Sequence, residues 1–239
     1  MKLELHYVAG QHNTVAVLRY IPRRPRGIAI VAAHGYSSSK HNLDPLCAFL
    51  AGHGFELFSL DFPGHKLGAS GGFLTEFGDC LDAVAAVVSF ARRDSVNPYV
   101  MGHSLGAQTA LIAAAHDAAI PGVVAIATGR RRAAVLETLQ RNFSTDLRAE
   151  YVDGASLPEL LTGMEERLDP ALPKLAGRPV LYVAAKHDAM VPVSSVIELY
   201  ERAPHPKYFV EIESNHTAAG ENSRTEILRW LNELHPREH

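Results

Sequence analysis

A serine with glycine two residues away on each side, Gly102-His103-Ser104-Leu105-Gly106, joins the apolar run Pro98 to Met101 directly to the alanine-rich stretch Ala107 to Ala115. A strand-to-helix turn this sharp strains the serine backbone, and only glycine leaves room two positions before and after it. The hydroxyl then stands clear at a helix N-terminus, where the dipole and the N–H of Leu105 favour negative charge on a nearby oxygen. The chemistry such a residue can do is nucleophilic attack. It requires a histidine to remove the hydroxyl proton, and a carboxylate to fix the tautomer of that histidine and stabilise its cation. His216, in Glu213-Ser214-Asn215-His216-Thr217, follows the last strand-like run, and Asp188, in Ala185-Lys186-His187-Asp188-Ala189, follows the one before. The neighbouring strand end, Ala127-Thr128-Gly129-Arg130, carries no carboxylate, which leaves Asp188 as the acid.

A second match to the serine pattern, Gly68-Ala69-Ser70-Gly71-Gly72, lies in a glycine-rich loop with no strand leading into it, so Ser70 is not read as a nucleophile. The second N–H donor to an oxyanion is expected from Tyr36, in His34-Gly35-Tyr36-Ser37-Ser38-Ser39, with Gly35 permitting the turn that aims it inward. The 13 histidines show neither HExxH nor any other metal-ligand spacing, so neither a metal nor another cofactor is expected.

These residues must be positioned by elements that the hydrophobic pattern outlines. Leu3 to Val8 and Thr14 to Tyr20 flank Gly10-Gln11-His12-Asn13 as an antiparallel hairpin. Gly27 to Ala33, Glu56 to Leu60, Pro98 to Met101, Val123 to Ala127, Val180 to Ala184 and Tyr208 to Ile212 complete eight strands, alternating with amphipathic stretches as in a mostly parallel sheet. Phe77, Leu81, Val84, Val88 and Ala91 recur at helical spacing, as do Ile227, Trp230, Leu231 and Leu234 behind the capping box Ser223 to Glu226. Residues 129–170 are too many for one connection. They read as a cap of two short helices above the sheet, the first carrying Leu136, Leu139 and Phe143, the second Leu157, Leu160, Leu161, Met164 and Leu168 behind the capping box Ser156 to Glu159. Leu136, Leu139, Phe143, Leu160, Leu161 and Met164 are candidates to line an acyl pocket over Ser104.

The 239 residues, 47% hydrophobic and 21% charged, suit one α/β domain spanning 1–239 and exclude a disordered or fibrous chain. A formal charge of -3 offers no attraction for nucleic acid. Cys47 and Cys80 are too few and too far apart for a disulfide framework or a CxxC site. Glu4 and His6 interrupt the N-terminal apolar run, and no later segment has the length of a membrane span, so a cytoplasmic protein with a small-molecule substrate is expected.

The ordered set His34-Gly35-Tyr36, Gly102 to Gly106, Asp188 and His216 resembles the α/β-hydrolase fold, in particular small carboxylesterases and monoacylglycerol-lipase-like hydrolases. The resemblance implies an eight-stranded sheet with helices on both faces and a small helical cap inserted after the sixth strand. Asp61-Phe62-Pro63-Gly64-His65 is similar to the family's D-x-x-G-H-G-x-S loop, here two residues longer through Lys66-Leu67. The implied activity is hydrolysis of small to medium carboxylic esters through an acyl-enzyme on Ser104. The same triad also serves thioesterases, amidases and C–C hydrolases, and the scaffold also serves non-catalytic ligand binding.

Overall fold

The computed structural model of the protein describes residues 1–94, 97–130 and 150–236. All eight expected strands form: β1 (Lys2–Ala9), β2 (Thr14–Ile21), β3 (Ala29–Ala33), β4 (Glu56–Leu60), β5 (Tyr99–His103), β6 (Val123–Ile126), β7 (Val180–Ala185) and β8 (Lys207–Ile212). They make one sheet in the order β1-β2-β4-β3-β5-β6-β7-β8. The β1–β2 hairpin and the β2–β4 pair are antiparallel, and every other pairing is parallel. Strands β3, β6 and β7 are buried on both faces, which is why they read as unbroken apolar runs.

Helices α1 (Asp44–Gly52), α6 (Ala219–Asn222) and α7 (Arg224–Leu234) cover one face of the sheet. The other carries α2 (Phe77–Ala91), α3 (Leu105–His116), α4 (Leu157–Ala171) and α5 (Val193–Arg202). Helix α3 is buried on all sides from Leu105 to Ala115, and its alanines let neighbouring elements approach closely. At its far end the Arg178 guanidinium donates to the carbonyls of Ala114 at 2.6 Å and Asp117 at 3.1 Å, satisfying helix-end acceptors with a cation.

Two expectations about helix ends diverge. The Ser156–Glu159 capping box forms at α4. The Ser223–Glu226 box does not, because α6 runs straight into α7: the Ser223 N–H is already bonded to the Ala219 carbonyl, and the hydroxyl donates to Gly220 O. Helix α2 instead opens with a capping box of its own, Glu76 with Asp79.

Of the expected cap, the second helix is α4; Leu136, Leu139 and Phe143 fall in 131–149, outside the described residues. The stretch leading into α4 is held by backbone pairing to the loop after β4, with bridges His65↔Val152 and Leu74↔Gly154. The Gly64 carbonyl accepts the Asp153 N–H at 2.8 Å, and Gly64, at φ 71°, has no room for a Cβ, which would lie 2.5 Å from Asp153 O. The extra Lys66 joins this seam through its N–H to Tyr151 O at 2.9 Å and its ammonium to Asp153 at 3.0 Å.

Leu160, Met164 and Leu168 turn from this stem into the core against α2 and α3 and are at most 1% exposed. Met164→Ala should therefore lower the unfolding free energy by about 2–5 kcal/mol, the usual range for truncating a buried side chain of this size. Urea denaturation followed by circular dichroism measures it, and a loss under ~1 kcal/mol would show that Met164 is not part of the core.

Candidate active site

Strand β5 ends at His103, and the chain turns into α3 through Ser104 at φ 53°, ψ -112°, a conformation that side-chain-bearing residues rarely adopt. The flanking glycines are sterically required. A Cβ on Gly102 would stand 2.1 Å from Gly106 O, and one on Gly106 would stand 2.2 Å from Ala33 O. Ser104 is thus held by the contact of β5, β3 and α3, and Leu105 opens the helix with an N–H that has no intrahelical acceptor.

His216 and Asp188 come together from the loops after β8 and β7, as their positions predict. The His216 Nδ1–H donates to Asp188 Oδ2 at 2.7 Å, and the other carboxylate oxygen accepts the N–H groups of Met190 and Val191, each at 2.8 Å. Burial works against the Asp188 charge, but the His216 bond and the two N–H groups outweigh it and hold the carboxyl below the usual range. Asp188 therefore stays anionic, and its bond leaves Nε2 of His216 as the basic nitrogen of that ring.

Ser104, Leu105, Tyr36 and His216 line one cavity of about 240 Å³. Its described wall is polar along Ser37, Ser38, Asn42 and Thr217, and apolar along Leu43, Tyr151, Leu157, Leu161 and Met190. Of the acyl-pocket candidates, Leu161 lines it; Leu160 and Met164 do not, because on a helix only one stripe can face the cavity and theirs faces the core. Leu157, Tyr151 and Met190 were not among those candidates. Leu157 shares a face with Leu161 at i, i+4, a spacing visible in the sequence; Tyr151 and Met190 lie on irregular segments with no such signal.

Two histidines beside the site do work that the sequence did not reveal. The buried His34 donates from Nδ1 to Gly35 O at 2.7 Å and accepts the Phe62 N–H on Nε2 at 3.0 Å. Tying back the Gly35 carbonyl leaves the Tyr36 N–H on the opposite side of that planar peptide. His103 donates from Nε2 to the His216 carbonyl at 2.8 Å, its ring centroid 4.8 Å from that of His216, so it props up the loop that carries His216. Burial first, then the charge of neighbouring histidines, lowers the pKa of His34 to about 3 and of His103 to about 4, so both are neutral spacers.

Gly35 has a different reason from the one expected. It is not among the residues of positive φ, a role taken by Ser37 at 55°; a Cβ there would meet His103 Nδ1 at 3.1 Å and Ser104 Cβ at 3.4 Å. Ser70 is structural, its hydroxyl donating to Asp61 O at 2.6 Å and accepting the Ala16 N–H at 2.8 Å. Asp61 is fully buried and accepts from Lys40 N at 2.7 Å, Lys40 Nζ at 2.5 Å and Ala69 N at 2.8 Å. Among the described residues, no three His, Cys, Asp or Glu side chains cluster as a metal site, and no helix is long and apolar enough to cross a membrane.

The sequence matches the alpha/beta hydrolase family over residues 30–235, and the chain belongs to that family. No curated protein matches it. Among solved structures, it is similar to the esterase domain of a Rhodothermus marinus protein, with TM-score 0.74 and 18% identity over 98% of this chain and 99% of that one. It is also similar to Est1E from Butyrivibrio proteoclasticus with ferulic acid bound, at TM-score 0.75 and 18% identity over 95% and 98% of the two chains. An E-2-(acetamidomethylene)succinate hydrolase superposes at TM-score 0.71 with 21% identity over 97% and 98%.

Both neutral histidines make stability depend on pH with a definite sign. Their folded pKa values lie below the ordinary 6.5, so the unfolded chain binds protons that the folded one excludes. The stabilisation is complete above pH 6.5 and is lost as pH falls toward 4 and then 3. Chemical denaturation at pH 7 and pH 5 should show this loss, and His103→Asn, which keeps a donor but does not titrate, should make the dependence shallower by roughly one proton. An unchanged slope would mean that His103 is not held neutral.

Proposed function

We propose that the protein is a serine hydrolase of small carboxylic esters. The observation that carries this reading is a serine in a strained turn at a helix N-terminus, sharing one cavity with an imidazole whose far nitrogen is bonded to a buried carboxylate. Ser104 Oγ attacks the ester carbonyl carbon while His216 Nε2 takes its proton. The oxyanion that forms is stabilised by the N–H groups of Tyr36 and Leu105. His216 returns the proton to the departing alkoxide, which leaves as the alcohol, and the acyl group remains on Ser104. Water then attacks the acyl-enzyme with the same proton transfers and releases the acid. Asp188 remains ionised throughout, holding the ring and stabilising its cation.

The cavity is smaller than the usual ~300–1,000 Å³ of ligand sites, which supports a small acyl group. The polar wall of Ser37, Ser38, Asn42 and Thr217 supports an oxygen-bearing group on the other side of the scissile bond.

Ser104→Ala should abolish hydrolysis of p-nitrophenyl esters, a loss on the order of a million-fold in kcat. Asp188→Asn should slow it by roughly 10⁴ through the wrong tautomer. Ser70→Ala should keep near-normal turnover. Mass spectrometry after organophosphate treatment should place the adduct on Ser104, and full activity of Ser104→Ala would refute the assignment.

Acyl selectivity offers a further test. With each buried methylene worth ~0.8 kcal/mol, kcat/KM should rise by roughly four-fold per carbon until the pocket fills. Leu161→Ala should move that maximum to a longer chain. A series from acetate to decanoate measures both, and superposable profiles would mean that Leu161 does not meet the acyl group.

A further inference from the structure

Among the described residues, strand β1 ends the sheet, with β2 on one side and no strand on the other. Which of its backbone groups face outward follows from the hairpin. The Gly10 N–H donates to Asn13 O at 2.8 Å, which makes 10 and 13 a hydrogen-bonded pair, and pairing continues without a bulge through Ala9↔Thr14 to Lys2↔Ile21. Hydrogen-bonded pairs alternate in an antiparallel ladder, so Val8, His6 and Glu4 bond to β2, and the N–H and C=O groups of Tyr7, Leu5 and Leu3 point outward.

The same three residues form an apolar stripe on one face of the strand, with Leu3 50%, Leu5 52% and Tyr7 61% exposed. Beside the edge runs a groove of about 550 Å³ between β1 and α2, floored by the small side chains Ala85, Ala86 and Ser89. An edge with free backbone groups, no proline and an exposed apolar row is a template for another strand.

We propose that this edge pairs antiparallel with β1 of a second copy of the chain about a two-fold axis at Leu5, extending one sheet through both molecules. Side-chain pairing selects the register. Outward-facing residues must meet outward-facing residues, so the closest two-fold choices centre on Glu4, Leu5 or His6. Centring on Glu4 sets that carboxylate opposite its own copy, and centring on His6 opposes two imidazoles. Centring on Leu5 sets Glu4 opposite His6 in a pair without backbone bonds, where side chains approach most closely, and aligns Leu3 with Tyr7 and Leu5 with Leu5. The stripe becomes a continuous cross-strand apolar ladder, and the partner strand lies beside the small residues of α2. A strand-only interface is small, so the dimer is reversible, with a dissociation constant in the micromolar range.

Sedimentation velocity over a concentration series tests this. The expected result is a rise from the 26.0 kDa chain mass to twice that value, with Leu5→Lys remaining at one chain mass while ester hydrolysis and thermal midpoint stay unchanged. Register is read by oxidising Leu5→Cys, whose thiols would lie on opposed residues ~5.5 Å apart between Cα atoms, within disulfide reach. The native Cys47 and Cys80 are fully buried and do not compete. A covalent dimer joined at position 5 is expected, and Leu3→Cys alone should give none, since Tyr7 faces it. A single chain mass at hundreds of micromolar, a dimer indifferent to Leu5→Lys, or cross-linking through Leu3→Cys in preference to Leu5→Cys would each overturn the proposal.

Discussion

The contact on which the rest of the architecture turns is the crossing of β5, β3 and α3 at Gly102 and Gly106. There, backbone meets backbone at separations that no Cβ survives, and this crowding holds Ser104 at positive φ. A strained residue persists only where its surroundings over-determine it. Here the surroundings are a helix buried from Leu105 to Ala115, an alanine surface fitted between sheet, α2 and α4, and a guanidinium capping its far end. The strain is local, and the core of the domain sustains it.

Electrostatics around the serine follow one plan. Carboxylates are kept charged by several donors each: Asp188 by His216 and two N–H groups, Asp61 by Lys40 and two N–H groups. Histidines are kept neutral by burial, and their ring nitrogens serve as fixed donors and acceptors to backbone. His216 reaches the cavity with one nitrogen committed to Asp188.

How much of this could be read in the sequence depends on the range of the signal. All eight strands were legible because buried parallel strands are short apolar runs between glycine, proline and polar turns, and Ser104, Asp188 and His216 because each sits at the end of such a run. The insertion was legible as a helix with a capped start, but not in its orientation: Leu160, Leu161 and Met164 look equivalent in a list of apolar residues, and all three pack in the core while only Leu161 also reaches the cavity. The roles of His34 and His103 were not legible because their partners are backbone atoms of distant or irregular segments. The Ser223 box failed for a related reason, since a preceding helical turn already occupied its N–H.

The seam between the loop after β4 and residues 151–155 has a consequence for how this scaffold can diversify. It fixes the root of α4, so that Leu161 belongs at once to the cavity wall and to the folding core. A lineage that changes substrate size through α4 must carry the loss of stability together with the gain in fit. The side chains of Tyr151 and Met190, 44% and 39% exposed on the same cavity, are not buried in that core. New specificities on this framework are cheapest to explore at those two positions, with the helix beneath them left alone.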